Sequence, residues 1–219
     1  MPASTIEKPA PSKLKRAIRN AFTPILPMAV YRILKFRIQI GHFPNLRNPK
    51  SYNEKLLYKT LYDRREILTL FADKYRVRDY VRQKVGGDIT FPETYAVYEN
   101  WQDITLDGLP PSFVMKPNHG SGWALLVRDG DVPDIAEIRR LARQWLSGNF
   151  YTYTKEWCYQ SIKPVILFEE FLTDRGERPD DVKFWCFNGK PDLVRFRPNP
   201  VSGRGSAFYD ANWNKVYAA

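Results

Sequence analysis

The hydrophobic period of this chain changes once, near Gly86-Gly87, and that change limits the fold to one joining a helical segment to short buried strands. Before it the apolar residues keep helical spacing. Ser51 followed by Glu54 is a capping-box signature, which starts a helix of about ten residues ending near Tyr62-Asp63. A short helix is expected over Arg65 to Phe71. Asp73 can cap a third helix, with Val77, Tyr80, Val81 and Val85 on one face and Gly86-Gly87 as its stop. Further upstream, Leu14, Ala17, Ile18, Ala21, Phe22 and Ile25 form an amphipathic stripe broken by Pro24 and Pro27. Val30, Ile33, Leu34 and Ile38 then resume the pattern.

After the change, Phe113-Val114-Met115, Ala124 to Val127 and Val165 to Phe168 are short apolar runs bounded by Gly, Pro and Asp, which read as buried strands. A helix is expected from Ile135 to Leu146, with Ile135, Ile138, Leu141, Ala142 and Trp145 inward. Asn188-Gly189 between two β-rich runs, Val182 to Phe187 and Leu193 to Phe196, is a hairpin turn because both residues tolerate positive φ. A last, shorter hairpin joins Ala207 to Tyr209 with Lys215 to Tyr217. The fold class is therefore α+β.

Thirty-four basic against 24 acidic residues give a net charge of +10, and a negatively charged partner is the first reading of such a balance. Residues 8–50 carry ten of those basic side chains and no acid, so the remainder of the chain is neutral. Aromatic residues accompany the charge, but no nucleic-acid motif does, and a nucleic-acid partner is not expected. A polybasic amphipathic segment over 13–50 instead suits an anionic membrane surface, unless its charges only solvate the helix. No apolar run approaches the roughly 18 residues that cross a bilayer, and the proline-broken stretch after Lys13 makes a poor signal peptide. The expected location is cytoplasmic, peripheral on the inner face of the membrane. Residues 1–12 (MPASTIEKPAPS) read as a disordered lead-in.

Two cysteines and two histidines exclude a Cys- or His-rich structural zinc. Cys158 and Cys186 sit in aromatic, strand-like runs and are expected to pack unpaired as small apolar residues. Tyr151, Tyr153, Trp157 and Tyr159 are available for stacking on bases or sugars, or for core packing. Neither Ser121 nor Cys158 has the base and orienting partner of a nucleophile triad.

The segment Lys116-Pro117-Asn118-His119-Gly120-Ser121-Gly122-Trp123 lies between two expected strands. A lysine ending a buried strand, followed by a small Gly-rich loop, can hold phosphate through an ammonium and backbone N–H groups; an ordinary hairpin turn has the same composition. It is not a Walker A loop. His119 is either an acid–base group or a loop residue bonded to backbone. Glu169-Glu170 ends an apolar strand, where adjacent side chains point to opposite faces. Either both are solvated or one is turned inward. Asp181 and Lys183 share one face of a strand, as an anion site or a surface ion pair.

Taken together, Tyr52-Asn53-Glu54-Lys55-Leu56, Leu61-Tyr62-Asp63-Arg64, Ala72-Asp73-Lys74-Tyr75-Arg76-Val77-Arg78, Val114 to Trp123, Glu169-Glu170-Phe171-Leu172 and Asp181 to Pro191 resemble the TupA-like ATP-grasp family, over about residues 42–217. The resemblance implies an ATP-grasp fold, which holds ATP between two α+β subdomains and activates a carboxylate as an acylphosphate for attack by an amine. It makes Lys116 a phosphate contact and His119, Gly120, Ser121 and Gly122 the phosphate cover. Glu169, Glu170, Phe171 and Leu172 become the adenine-reading hinge, and Asp181 and Lys183 line the ribose and phosphate side. The implied setting is surface-polysaccharide or teichuronopeptide synthesis, with an acidic sugar, amino acid or peptide as acceptor.

The implied cofactors are ATP and Mg2+. The family pattern continues past the position matching Tyr217 into acidic metal-binding strands, whereas this chain ends at Ala219. No metal ligand is therefore carried over, and a short form lacking those strands is expected. The expected organisation is a basic helical segment over 13–50, the helical part of the unit over 51–110 and the nucleotide-binding part over 111–219. The alternative function is a nucleotide- or glycan-binding module without turnover.

Overall fold

A computed structural model describes residues 26–87, 89–131, 133–173, 179–199 and 205–218. The amphipathic stripe expected over 14–25 and the lead-in over 1–12 lie outside the described residues. The chain divides into two units between Phe171 and Leu172, inside the stretch expected as 111–219.

The first unit opens with helix α1 (Met28–Ile40), which Pro27 precedes and Gly41 ends in the left-handed conformation, φ 95°. Phe36 is its one buried residue and packs with Leu57 and Leu61 of α2 (Tyr52–Tyr62). Val30, Leu34 and Ile38, part of the apolar pattern, are exposed instead. The capping box at α2 is formed by Ser51 and Glu54. Backbone N–H groups of Asn45, Ser51 and Lys50 hold the Glu54 carboxyl down to about 2, fastening the 41–50 connection to the helix. Helices α3 (Ile67–Ala72) and α4 (Val77–Val85) follow.

Strands β1 (Thr94–Tyr98), β2 (Phe113–Pro117), β3 (Leu125–Val127) and β4 (Ile166–Glu170) form an antiparallel sheet in the order β1-β4-β2-β3. Helix α5 (Ile135–Ser147), N-capped by the Asp134 carboxylate, contributes Ile138, Ala142 and Trp145 to the core. With them pack Phe113, Met115, Leu125, Val127, Ile166 and Phe168. Strand periodicity then places Val114, Lys116, Leu167 and Glu169 on the opposite face of the sheet. A short helix α6 (Phe150–Thr154), N-capped by Asn149, and a 3-10 turn over Trp157–Tyr159 complete the unit.

The second unit is an antiparallel meander of β5 (Asp181–Phe187), β6 (Lys190–Arg197), β7 (Ala207–Asp210) and β8 (Lys215–Ala218). Asn188 at φ 52° and Gly189 at φ 80° make the two-residue turn that the dipeptide signals. Both cysteines are free. Cys186 lies on β5 as its strand-like run suggests but is exposed rather than packed, and Cys158 is half-buried in a 3-10 turn rather than in a strand.

Candidate anion site

Glu169 is 1% exposed, so of the two adjacent carboxylates one is turned inward. A buried carboxylate needs compensating charge. Here Arg78 Nη2 reaches one carboxylate oxygen, and Lys116 Nζ pairs with the other. Lys116 and Glu169 meet because both lie on the face of the sheet away from α5, on the paired strands β2 and β4. Arg78 enters from α4. Its Nη1 donates to the Thr94 hydroxyl at 2.6 Å and the Pro92 carbonyl at 3.3 Å, and its Nε donates to the Lys74 carbonyl at 3.2 Å. Arg78 thereby ties the helical layer to β1 and β4.

A third cation stands beside this cluster. Lys74 Nζ donates to the carbonyls of Gly120 and, at 3.4 Å, Asn118. Burial, together with repulsion from Lys116, pulls its ammonium down to about 8. Asp73, buried beside Lys74 and paired with Arg76, also favours the Lys74 ammonium, so Lys74, Arg76, Arg78 and Lys116 against Asp73 and Glu169 leave a local excess of two positive charges. Two lysines held within repelling distance, of which only Lys116 pairs with Glu169, form an environment that a multiply charged anion relieves.

Between β2 and β3, residues 118–124 connect a hairpin, as the hairpin-turn reading expects. Asn118 fixes its start. The Asn118 N–H donates to the Val165 carbonyl, its side-chain oxygen accepts from the Val165 N–H at 2.9 Å, and its side-chain amide donates to the Lys163 carbonyl at 3.0 Å. His119 is buried, and its Nε2 lies 3.0 Å from the carbonyls of both Trp145 and Gly148 at the C-terminal end of α5. Two acceptors require the proton on Nε2. Burial pushes the imidazole pKa down against the pull of those two carbonyls, and with Nδ1 3.2 Å from the Asn118 side-chain oxygen the ring anchors the loop root to α5.

Gly120 is buried beneath the Trp123 ring, where an added Cβ would stand 2.7 Å from a ring carbon. Ser121 and Gly122 are exposed, with Gly122 at φ 80°. A Gly120→Ala variant is expected to displace Trp123 and cost about 1–3 kcal/mol by overpacking, measured as a lowered denaturation midpoint with altered tryptophan emission.

At the end of β4, Glu170 lies at the rim, and its carboxylate accepts from the Glu93 N–H at 3.1 Å. Because β4 is paired with β1 and β2, the ladder claims its backbone through Glu170. Phe171 follows the strand under the Arg128 guanidinium, and Leu172 begins the second unit. In that unit Asp181 pairs with Lys183 at 3.3 Å and with Arg197 at 3.0 Å, a part-exposed trio of small energetic weight.

Lys74 and Arg78 stand in the Ala72–Arg78 run and Asn118 in the Lys116–Trp123 segment, but none of the three carries a site role in the sequence reading. Lys74 lies in the turn that precedes α4 and Arg78 in the first turn of that helix, and their i, i+4 spacing was the available signal. Magnesium does not fit the carboxylates at this locus. Both oxygens of Glu169 are in ion pairs, Glu170 accepts from backbone, and no group of three or more potential ligands occurs among the described residues.

Residues 54–219 match the family model described as TupA-like ATPgrasp. No curated protein and no solved structure matches the chain.

Proposed function

The chain belongs to the TupA-like ATP-grasp family, and from that premise we propose that Lys74, Lys116 and the 118–122 loop bind the phosphates of ATP in an ATP-dependent ligase. The observation that carries this reading is the excess of positive charge around the buried Glu169. Phosphoryl transfer asks mainly for positioning and charge neutralisation, which lysines and backbone N–H groups supply without a nucleophile triad. Glu169 keeps the Lys116 ammonium on the face of the sheet away from α5, while Asn118 and His119 fix the loop root and leave Ser121 and Gly122 exposed to cover the anion. Since the ladder ends at Glu170, adenine recognition by backbone falls to the residues after it.

In the reaction proposed, a carboxylate oxygen of the acceptor attacks the γ-phosphorus and ADP leaves. An amine nitrogen then attacks the acyl carbon, expelling phosphate and forming an amide. The acceptor is an acidic sugar, amino acid or peptide of surface-polysaccharide or teichuronopeptide synthesis. ADP release that requires both an amine and a uronate-type acceptor supports this assignment, and ATP binding without ADP release under any such pairing would leave a binding module.

The Lys74 ammonium gives the affinity for ATP a pH dependence. Phosphate binds the protonated amine, so affinity is fully present below about pH 8 and declines above it, by at most about tenfold per pH unit. A Lys74→Met variant is expected to bind more weakly with that decline removed, as read from calorimetric titrations at pH 7, 8 and 9.

The basic segment is proposed to attach the protein to an anionic membrane surface. No helix among the described residues is long and apolar enough to cross a membrane. Val30, Leu34 and Ile38 make an exposed stripe on α1, with Ile38 82% exposed, and Phe43 continues it beneath the Arg37 guanidinium. An apolar stripe set in a stretch without acids complements an anionic bilayer. Co-sedimentation with phosphatidylglycerol vesicles is expected to fall at least fivefold for Ile38→Glu, and unchanged binding would refute the assignment.

A further inference from the structure

We propose that Asp73 is a positioning residue for the phosphate contact, a buried carboxylate that sets Lys74 against the 118–120 carbonyls and supplies the countercharge its ammonium otherwise lacks. The inference rests on the ATP-binding reading above. Asp73 is 3% exposed and stands at the turn in front of α4. Its Oδ1 accepts from the N–H groups of Tyr75 at 2.9 Å and Arg76 at 3.1 Å, and its carbonyl accepts from the Val77 N–H at 3.1 Å. These bonds fix the backbone of residues 73–77. Lys74 is thereby presented to the loop, where its own N–H donates to the Asn118 carbonyl at 3.1 Å and its ammonium reaches that carbonyl and the one of Gly120.

The turn asks only for an acceptor at position 73, and asparagine caps as well as aspartate does. The negative charge needs a separate use. N–H donors satisfy Oδ1 without neutralising it, and among the described residues the one cation paired with the carboxylate is Arg76, whose Nη1 meets Oδ2 at 2.6 Å. The Arg76 side chain is 41% exposed, so water screens its charge, while the carboxylate lies within the protein. The other charged or titratable groups facing Lys74 are Lys116 of β2, Arg78 of α4, Glu169 of β4 and His119 of the loop. Glu169 is committed to Arg78 and Lys116. Burial and Lys116 pull the Lys74 ammonium down, and Asp73 opposes them more than Glu169 does. Removing the Asp73 charge therefore lets the Lys74 amine lose its proton at lower pH, and the decline of ATP affinity starts earlier. In acid the amine is charged either way, and loss of a nearby carboxylate then favours an anionic ligand.

Asp73→Asn tests this, with the Lys74 amine titrated in the absence of nucleotide by trace acetylation read by mass spectrometry, and ATP affinity followed by calorimetry at pH 6, 7 and 8. The wild-type amine is expected to titrate near pH 8, and that of the variant at least about half a pH unit lower. ATP affinity should be undiminished at pH 6 and weaker by about twofold or more at pH 8. Loss of a turn bond alone would lower it equally throughout. Arg76→Met removes the cation that competes for the carboxylate, so the Lys74 amine should titrate higher, a second test that holds if Asp73→Asn fails to fold. An unmoved amine in Asp73→Asn, or in Arg76→Met should the first variant not fold, or affinity lowered equally at all three pH values, would overturn the inference. The expected shift in a protein that binds no ATP would instead overturn the ATP reading and leave the coupling of Asp73 to Lys74 standing.

Discussion

Glu169→Ala is expected to destabilise the protein by about 3–5 kcal/mol, because removing one partner of a buried ion pair strands the other charge. Here the loss leaves the buried Arg78 and the partly buried Lys116 without their shared carboxylate. For a domain stable by about 5–15 kcal/mol this is a large fraction, and it should appear as a marked fall in the urea midpoint. Arg140→Ala is the control. It breaks the exposed pair with Glu137, and the midpoint is expected to stay where it was. An apolar replacement of both members, Glu169→Leu with Arg78→Met, should recover much of what the single change loses. Equal midpoints for Glu169→Ala and wild type would show that the carboxylate does not hold α4 to the sheet.

Lys116→Ala is expected to weaken ATP binding by about 10- to 100-fold, the equivalent of a charge-assisted hydrogen bond of about 1.5–3 kcal/mol. The change also releases Glu169 from one ion pair, so the stability of the variant must be measured with its affinity. Arg78 still compensates the carboxylate, which keeps the fold intact and separates this substitution from the one at Glu169. Lys116→Arg should not restore full affinity, because a planar fork cannot replace a compact ammonium in a site closed by Lys74 and Glu169.

Much of the scaffold follows from local signals. Ser51 and Glu54 mark the start of α2, Asn188-Gly189 closes the β5–β6 turn, and the apolar face of α5 carries Ile138, Ala142 and Trp145 inward as its spacing requires. Strand β1 leaves little mark in the sequence although Thr94 to Tyr98 is β-rich, because a five-residue half-buried edge lacks the continuous apolar run of β2 or β4. Helix α6 is hidden for the opposite reason. Its sequence, Phe-Tyr-Thr-Tyr-Thr, favours strands, and its cap at Asn149 and tertiary packing override that preference.

The site was legible by residue type and hidden in its pairing. Lys116 and the loop stand out as a motif, but the partners of Glu169 come from α4 and β2, distant in sequence. The role of His119 was open because its acceptors are the carbonyls of Trp145 and Gly148, which leave no mark in side-chain sequence. Exposure of Val30, Leu34 and Ile38 was equally invisible, since helical spacing reports a stripe without saying what covers it.

Calorimetric titration of the intact chain with ATP, with and without magnesium, tests the central claim most directly. The account predicts saturable one-site binding that weakens in Lys116→Ala and in Lys74→Met and falls as pH rises past about 8. No detectable ATP binding in either condition, or binding indifferent to both lysines, would contradict it.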